Sequence, residues 1–163
     1  MALKGDRFEG VTDVSFFMDV ASAAKGGIAS LVTGGSGVAL DQSNAKVSYA
    51  GTASGAIPIG LLLNDMVDID QTRQHINFHK NEVQRGGKVT LLTQGWVVTS
   101  NYTGTPTAGA PAYLGADGEV TITQGAGGNA SNAPVGRFLS SPDEDDYVKL
   151  EVHLPNVLGD GGV

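Results

Sequence analysis

Short runs of alternating apolar and polar residues dominate the second half of the chain. It contains GGKVTLLTQGWVVTSNYTGTPTAGAPAYLGADGEVTIT, where Val89 and Leu91, and then Trp96 and Val98, alternate with more polar neighbours. A two-residue period gives each strand one face to bury and one to expose to water. Gly, Pro and Asp-Gly signals separate these runs. The segment 86–155 therefore predicts several short strands and leaves no room for a helix.

One hairpin is specified by its turn. Asp117-Gly118 stands between the strand-like stretches 112–114 and 119–123. Both turn residues tolerate positive φ, which a tight hairpin turn requires. We therefore predict that this turn fixes the register of the two flanking strands.

Three blocks of the first half resemble three blocks of the second half in the same order. The pairs are 26–33 with 86–93, 40–49 with 114–122, and 56–63 with 133–139. The order favours one β unit that occurs twice, although any small β protein repeats turns and strands. Pro58 and Pro134 lie in the last pair, and proline lacks the N–H that a sheet ladder needs. We therefore expect these two strands to begin at a sheet edge.

These patterns predict an all-β fold of compact barrel-like or sandwich-like modules, built from short antiparallel strands with little helix. The expected organisation is an N-terminal arm (1–13), a first β unit (14–70), a connecting segment (71–85), a second β unit (86–155) and a mobile tail (156–163). A single intertwined domain over 14–155 is the alternative. Within the connecting region, extended structure competes with a helix over 71–83, which has only a weak apolar stripe.

The composition restricts the possible binding partners more than it restricts the possible folds. The 163 residues include 24 glycines and only 6% aromatics, which favours tight turns and thin β layers. A formal net charge of -7 argues against nucleic acid as a partner, because backbone binding needs clustered Lys and Arg. The absence of cysteine excludes disulfides and thiolate metal sites. No apolar run approaches the roughly 20 residues of a membrane helix, and no signal-peptide pattern opens the chain. We therefore expect no membrane partner, and a protein that is made and kept in a cytoplasm or released by lysis.

Candidate catalytic and metal-binding patterns are weak. His75 and His79 have the spacing of two ligands on one helical face, with Asp68 or Asp70 as a third ligand, but the Glu that a metalloprotease motif needs is missing. The acidic run 143–146 lacks the spacing of a calcium loop and is interpreted as a solvated turn. No nucleophile elbow or phosphate-binding loop is present. We predict a protein that is not an enzyme and has no metal and no cofactor; a hydrolase using the two histidines is the minor alternative.

Five stretches carry a family resemblance. They are GLLLNDMVDIDQTRQHINFHKNEVQRGGKV, GGKVTLLTQGWVVT, residues 108–114 with the following Asp-Gly turn, residues 134–137, and the closing strand 147–155. Together they cover most of the chain from residue 57 to residue 155. They resemble the head decoration, or capsid cement, proteins of tailed bacteriophages. The matching motifs are structural and contain no catalytic signature.

The resemblance implies a β-rich structural protein of the virion that binds the outside of an icosahedral capsid, commonly as a homotrimer. Its partners would be the major capsid protein and further copies of itself. It would stabilise the expanded shell by bridging capsid subunits, and multivalency would strengthen individually modest contacts. The alternative is a β-sandwich binding module, such as a head fibre base or carbohydrate-binding protein, with the loop 124–132 and Tyr102 at its tip.

Two sets of residues are the candidates for contacts with these partners. The charged arm is the candidate for binding the capsid, through Leu3, Lys4, Arg7 and Phe8. The apolar segment that follows is the candidate for subunit packing, through Phe16, Phe17 and Met18. Trp96 follows Gly95 in an apolar run, so we expect its side chain to be in the core rather than on a sugar-binding surface.

Overall fold

The computed structural model describes residues 2–32, 46–67, 82–84, 87–125 and 132–154. The strands in these ranges are β1 (Leu3–Asp13), β2 (Phe17–Met18), β3 (Ile28–Leu31), β4 (Lys46–Ser48), β5 (Pro58–Leu62), β6 (Asp65–Met66), β7 (Glu82–Val83), β8 (Leu91–Thr99), β9 (Tyr102–Thr103), β10 (Pro111–Leu114), β11 (Val120–Thr121), β12 (Pro134–Phe138) and β13 (Val148–His153). Several of the predictions concern residues outside these ranges. They are the metal ligands His75, His79, Asp68 and Asp70, most of the connecting segment 71–85, the centre of the loop 124–132 and the tail 156–163.

The described ranges are all-β and contain no α-helix, which confirms the predicted all-β class. The barrel-like form of the prediction is not found, because the strands of the described ranges form no closed barrel. One large open sheet has the strand order β2, β4, β3, β5, β8, β13, β12, β10, β11, β9, and β1 pairs with β8 beside this path. A second sheet contains β6 and β7. The large sheet is mixed, because β2 pairs with β4 and β9 with β11 in parallel orientation. The remaining pairs of the large sheet are antiparallel, as predicted.

The hairpin predicted at Asp117-Gly118 is present. β10 and β11 pair antiparallel, with Leu114 opposite Val120. A short turn of 3-10 helix over Ala116–Gly118 connects them. Asp117 has φ of 53° and Gly118 has φ of 77°, so both residues use the positive-φ conformation from which the turn was predicted.

Two stretches of the sheet repeat the same strand order and register. The order β2, β4, β3, β5 corresponds to β9, β11, β10, β12. In each copy an alanine lies opposite a glycine and a bulge then brings the next residue opposite a proline: Ala29 with Gly60 and Ser30 with Pro58, Ala112 with Gly136 and Tyr113 with Pro134. The flanking hydrogen bonds also match, since Gly26 N donates to Leu62 O and Gly109 N to Phe138 O, both at 2.8 Å. The β unit therefore occurs twice with one shared hydrogen-bond pattern.

This pattern corrects one of the three sequence matches. Over their described residues, which are 46–49 of the second block and all of the third, these blocks align in the structure as they do in the sequence, because β4 corresponds to β11 and β5 to β12. The first block related β3 to β8, whereas the structural equivalent of β3 is β10. Two glycines followed by a short apolar run mark the start of many strands, so that match carried little positional information. The boundaries of the predicted domains stay predictions.

The expectation that Pro58 and Pro134 begin edge strands is wrong. β5 lies between β3 and β8, and β12 lies between β10 and β13. Each proline is the first residue of its strand and sits at the bulge. At that position no ladder hydrogen bond from proline is needed, so a central strand tolerates it.

The two copies differ in how many of their faces are buried. In the first copy, Ile28 and Leu61 face the larger core cluster, while Ala29 and Leu62 face the smaller one. Its strands are therefore buried on both sides. In the second copy, Ala112 and Phe138 face the larger cluster, whereas Pro111 and Arg137 on the opposite face are exposed to solvent. One face of the second copy is therefore left uncovered by the described parts of the chain.

Candidate functional site

The uncovered face carries a row of side chains that crosses four neighbouring strands. Arg137 on β12 lies opposite Glu151 on β13, Glu151 lies opposite Trp96 on β8, and Trp96 lies opposite Phe8 on β1. Residues directly opposite each other in antiparallel strands project from the same face of the sheet. We call this row, together with Lys149, the outer face. Its aromatic residues and its arginine are residue types that are enriched at protein interfaces.

Trp96 is the centre of the outer face. Its indole is half-buried, and Lys149 Nζ lies 3.7 Å from the ring centroid, which is a cation–π contact. The core position predicted for Trp96 is wrong, because the fully buried residue is its neighbour Val97. Leu92 and Val97 both face the larger core. In a regular strand a residue and the fifth residue after it face opposite sides, so the strand is irregular between them. Gly95, with φ of 154°, lies between them and interrupts the simple alternation from which the core position was predicted.

Sequence reasoning did not propose Arg137, Lys149 or Glu151 as functional residues. The signal for two of them is present, since β13 alternates buried Val148, Leu150 and Val152 with the charged residues between them. A period of two places Lys149 and Glu151 on one exposed face of a strand. The sequence does not reveal which strands lie beside β13, and that arrangement creates the outer face.

The N-terminal arm is a strand along one margin of this face. β1 pairs antiparallel with β8 from Leu3 opposite Thr99 to Asp13 opposite Leu91, with bulges along the way. Its predicted contact residues have different environments. Leu3 is buried in the larger core cluster, with 1% of its surface exposed, whereas Phe8 is 56% exposed. Arg7 is half-buried and forms an ion pair with Glu9. Phe8 is therefore the most accessible of the predicted capsid-contact residues.

Lys4 ties the start of the arm to the acidic turn between β12 and β13. Its Nζ lies 3.4 Å from Asp143 Oδ2 and 4.1 Å from the centroid of the Tyr147 ring. Asp143 Oδ1 accepts hydrogen bonds from the backbone N–H groups of Asp145 (3.0 Å) and Tyr147 (2.8 Å). The acidic run therefore forms the turn that the sequence predicted. Asp143 organises that turn and holds Lys4.

These contacts give a pH-dependent prediction. The hydrogen bond from the Tyr147 N–H is the largest cause that lowers the pKa of Asp143 below its ordinary value of 3.8. Desolvation opposes this shift, and the Asp145 N–H and Lys4 lower the pKa further. Because the folded-state pKa is lowered, the stabilisation is present above the ordinary carboxyl pKa and is lost as the pH falls through the lowered value. NMR titration of the Asp143 carboxyl group should give a pKa below 3.8. Lys4→Ala should raise this pKa without restoring the ordinary value, because the two backbone hydrogen bonds remain. A wild-type pKa at or above 3.8 would contradict the assignment.

The predicted subunit-packing residues lie in and beside β2, which is the strand at one end of the large sheet. Met18 is buried in the smaller core cluster, with 1% of its surface exposed. Phe16 is half-buried against the same cluster. The ring of Phe17 is also half-buried, and Lys88 Nζ lies 5.7 Å from its centroid. These residues pack within their own chain, and only the partly exposed phenylalanine rings offer surface to a neighbour.

The described residues contain little that suggests catalysis. Among them no group of three or more His, Cys, Asp or Glu side chains is arranged to hold a metal ion. Burial raises the pKa of Tyr49 strongly, but its hydroxyl donates to Ala24 O at 2.5 Å and accepts from Gly27 N at 3.2 Å. This phenol is therefore a structural link. No helix within the described ranges is long and apolar enough to cross a membrane.

The fold and this surface define a class of protein: an all-β structural protein whose candidate site is an exposed sheet face. Residues 9–153 match the family model described as structural cement protein (E217 gp24/Pam3 gp6). The chain belongs to this phage structural cement protein family. A search of curated proteins found no match.

Family membership confirms the resemblance noted in the sequence. The matched range includes the arm from Glu9 onward, both copies of the β unit and every residue of the outer face except Phe8. It supports a structural, capsid-stabilising role and a place in the phage virion. The alternative of a carbohydrate-binding or fibre-base module stays a prediction, because the centre of its loop 124–132 lies outside the described residues.

Proposed function

We propose that this protein is a non-enzymatic cement protein that binds the outer surface of a phage capsid and stabilises the expanded shell by bridging major capsid protein subunits. The observation that carries the proposal is the outer face. In the first copy of the β unit the equivalent face is buried, since Leu61, which corresponds to Arg137, belongs to the larger core cluster. In the second copy this face is open at Arg137, and it continues across β13 and β8 to Trp96, which lies between charged neighbours. Family membership supports the capsid as the partner.

The outer face suits this role for a physical reason. Trp96 and Phe8 supply apolar contact area, and tryptophan and arginine are frequent among residues that dominate binding energy at interfaces. Arg137, Lys149 and Glu151 supply both signs of charge, which favours a defined orientation on the partner. Phe8 of the arm extends this surface, while Lys4 keeps the start of the arm in place. Many copies on one shell make modest contacts effectively permanent.

Binding of purified variants to capsids that lack the protein tests the proposal. We expect Trp96→Ala, and separately Arg137→Glu combined with Lys149→Glu, to weaken binding about tenfold or more, the equivalent of at least about 1.4 kcal/mol. Binding is measured by co-sedimentation with capsids over a range of protein concentrations. Thermal unfolding of each variant must first show that the fold is retained.

Lys88→Glu is the matched control for the charge reversal. Lys88 is exposed, but it lies beside Phe17 and away from the outer face. Its reversal changes the net charge in the same direction and should leave capsid binding within about twofold of wild type. If outer-face variants bind as tightly as this control, the outer face is not the contact surface. If the wild-type protein does not bind capsids at all, the proposed function itself fails.

Quantification of virion proteins addresses the arrangement on the shell. We expect the number of copies of this chain to approach that of the major capsid protein, as a lattice-covering protein requires. A much smaller ratio would indicate a vertex, fibre or tail component. The homotrimer, and subunit packing through Phe16 and Phe17, are predictions that the mass of the purified protein in solution decides.

A further inference from the structure

β1 has an edge that no described strand covers. Along one edge it pairs with β8 over Leu3–Asp13. β8 is in turn held on its other edge by β13 and by the end of β5. Across the described ranges, β8 is the only strand that pairs with β1. An uncovered strand edge exposes unpaired N–H and C=O groups and is a template for pairing with another chain.

The side chains of β1 leave this edge accessible from both faces. Every residue from Gly5 to Thr12 is exposed except Arg7, which is half-buried. Phe8 is 56% exposed and Val11 is 49% exposed, so β1 presents two large apolar side chains to solvent. The Phe8 ring leans over Gly10, where an added Cβ would lie 3.2 Å from Cε1. The edge therefore combines free backbone groups with exposed apolar surface.

The charges around Phe8 favour one particular occupant. Arg7, Phe8 and Glu9 lie in regular register opposite Val97, Trp96 and Gly95. If a second copy of β1 pairs antiparallel about a two-fold axis at Phe8, then Arg7 lies opposite Glu9 of the second copy and Glu9 opposite its Arg7. Opposite charges directly across an antiparallel pair are stabilising and like charges are destabilising. The segment is thus self-complementary.

We propose that two copies of this protein associate through the uncovered edge of β1, antiparallel and with Phe8 at the two-fold axis. Phe8 of one chain lies beside Phe8 of the other on the face that carries Trp96, and the alternating Arg7 and Glu9 side chains occupy the opposite face. Because strand pairing uses the edge of the sheet, it involves only Phe8 of the outer face and leaves the part from Trp96 to Arg137 free in each chain. The dimer joins two outer faces into one surface, which extends the proposed function, although the association itself needs no capsid.

Cysteine cross-linking tests the position of the axis, because the chain has no cysteine of its own. Phe8→Cys should form a covalent dimer upon mild oxidation of the purified protein, since only the residue on the axis meets itself. Val11→Cys, which is exposed on the same strand but off the axis, should form several-fold less. Ile57→Cys, an exposed position outside β1, serves as the second control.

Charge reversal tests the pairing without a new covalent bond. Arg7→Glu alone and Glu9→Arg alone should each be monomeric, because each places like charges opposite one another in a homodimer. A mixture of the two variants should form heterodimers, because both cross-chain pairs then become complementary. Sedimentation velocity measures the masses, and circular dichroism checks that each variant is folded.

The results of these two experiments distinguish the contact between two β1 strands from capsid binding. Heterodimers formed only by the mixture support the contact even if the outer-face variants show no role in capsid binding. A wild-type protein that is monomeric, or trimeric without cross-linking through position 8, overturns the contact and leaves the proposed function standing. Equal oxidation yields at positions 8, 11 and 57 also overturn it, because they indicate random collision.

Discussion

Replacing Gly136 by alanine should unfold the protein or lower its free energy of unfolding by roughly 3 kcal/mol or more, a large part of the 5–15 kcal/mol typical of a domain. A Cβ at this position would lie 1.9 Å from the backbone oxygen of Glu151 and 2.9 Å from its carbonyl carbon. Neither atom belongs to a flexible side chain, so β12 and β13 would have to separate. Both strands contribute to the larger core cluster, and their separation would expose Phe138 and Leu150. Chemical denaturation followed by tryptophan fluorescence measures the loss.

Two other glycines are matched controls for this substitution. Gly5→Ala should leave stability within about 0.5 kcal/mol of wild type, because its added methyl group meets no atom within 4 Å. Gly60 occupies the equivalent position in the first copy of the β unit, where the nearest atoms are Leu91 Cβ at 2.8 Å and Leu92 O at 3.1 Å. Gly60→Ala should therefore destabilise less than Gly136→Ala. Equal stability of Gly136→Ala and wild type would contradict the close approach of β12 and β13.

Local sequence chemistry predicted the elements whose causes are local. The turn at Asp117-Gly118 was predicted because two adjacent residues must adopt positive φ, and both do. The acidic run after Ser141 was interpreted as a turn, and Asp143 accepts the backbone hydrogen bonds that form it. Alternation of apolar and polar residues indicated an all-β chain. In each case the decisive interactions lie within a few residues of sequence.

The incorrect predictions concern interactions between distant segments. Pro58 and Pro134 were placed at sheet edges because proline lacks an N–H, but a bulge removes the need for that donor in a central strand. Trp96 was placed in the core by its apolar neighbours, but an irregularity near Gly95 turns Val97 inward instead. Neither the bulge nor the irregularity has a simple sequence signal. Both become visible only when the neighbouring strand is known.

The residues of the candidate site also divide into those that local sequence predicts and those that depend on contacts between distant segments. Phe8 was proposed from an arm that looked unlikely to be ordered by itself, and the structure pairs that arm with β8, a strand more than eighty residues away in sequence. Arg137 and Glu151 were not proposed, because nothing in the sequence shows that β12, β13, β8 and β1 are neighbours. Individual strands of the outer face were therefore predictable. Their order across the sheet, which creates the face, was not.

Replacing Gly95 by alanine should detach β1 from β8 while the rest of the fold persists. Gly95 has φ of 154°, and an added Cβ would lie 2.0 Å from the backbone oxygen of Phe8. β8 would keep its pairing with β13 and β5 on the other edge, so the core can survive. We expect amide hydrogen exchange in the middle of β1 to become roughly a hundredfold faster, which corresponds to a loss of about 3 kcal/mol in local stability.

Gly5→Ala is again the control, since it lies on the same strand without a clash and should leave exchange in β1 unchanged. Unchanged protection of β1 in Gly95→Ala would contradict the close packing of these strands.

The same variant also separates pairing with a second copy from capsid binding. Detachment of β1 removes the edge that pairs with a second copy but leaves Trp96, Lys149 and Glu151 on the sheet. Gly95→Ala should therefore abolish cross-linking through position 8 in a Phe8→Cys background, while capsid binding through the remaining outer face is weakened and not lost.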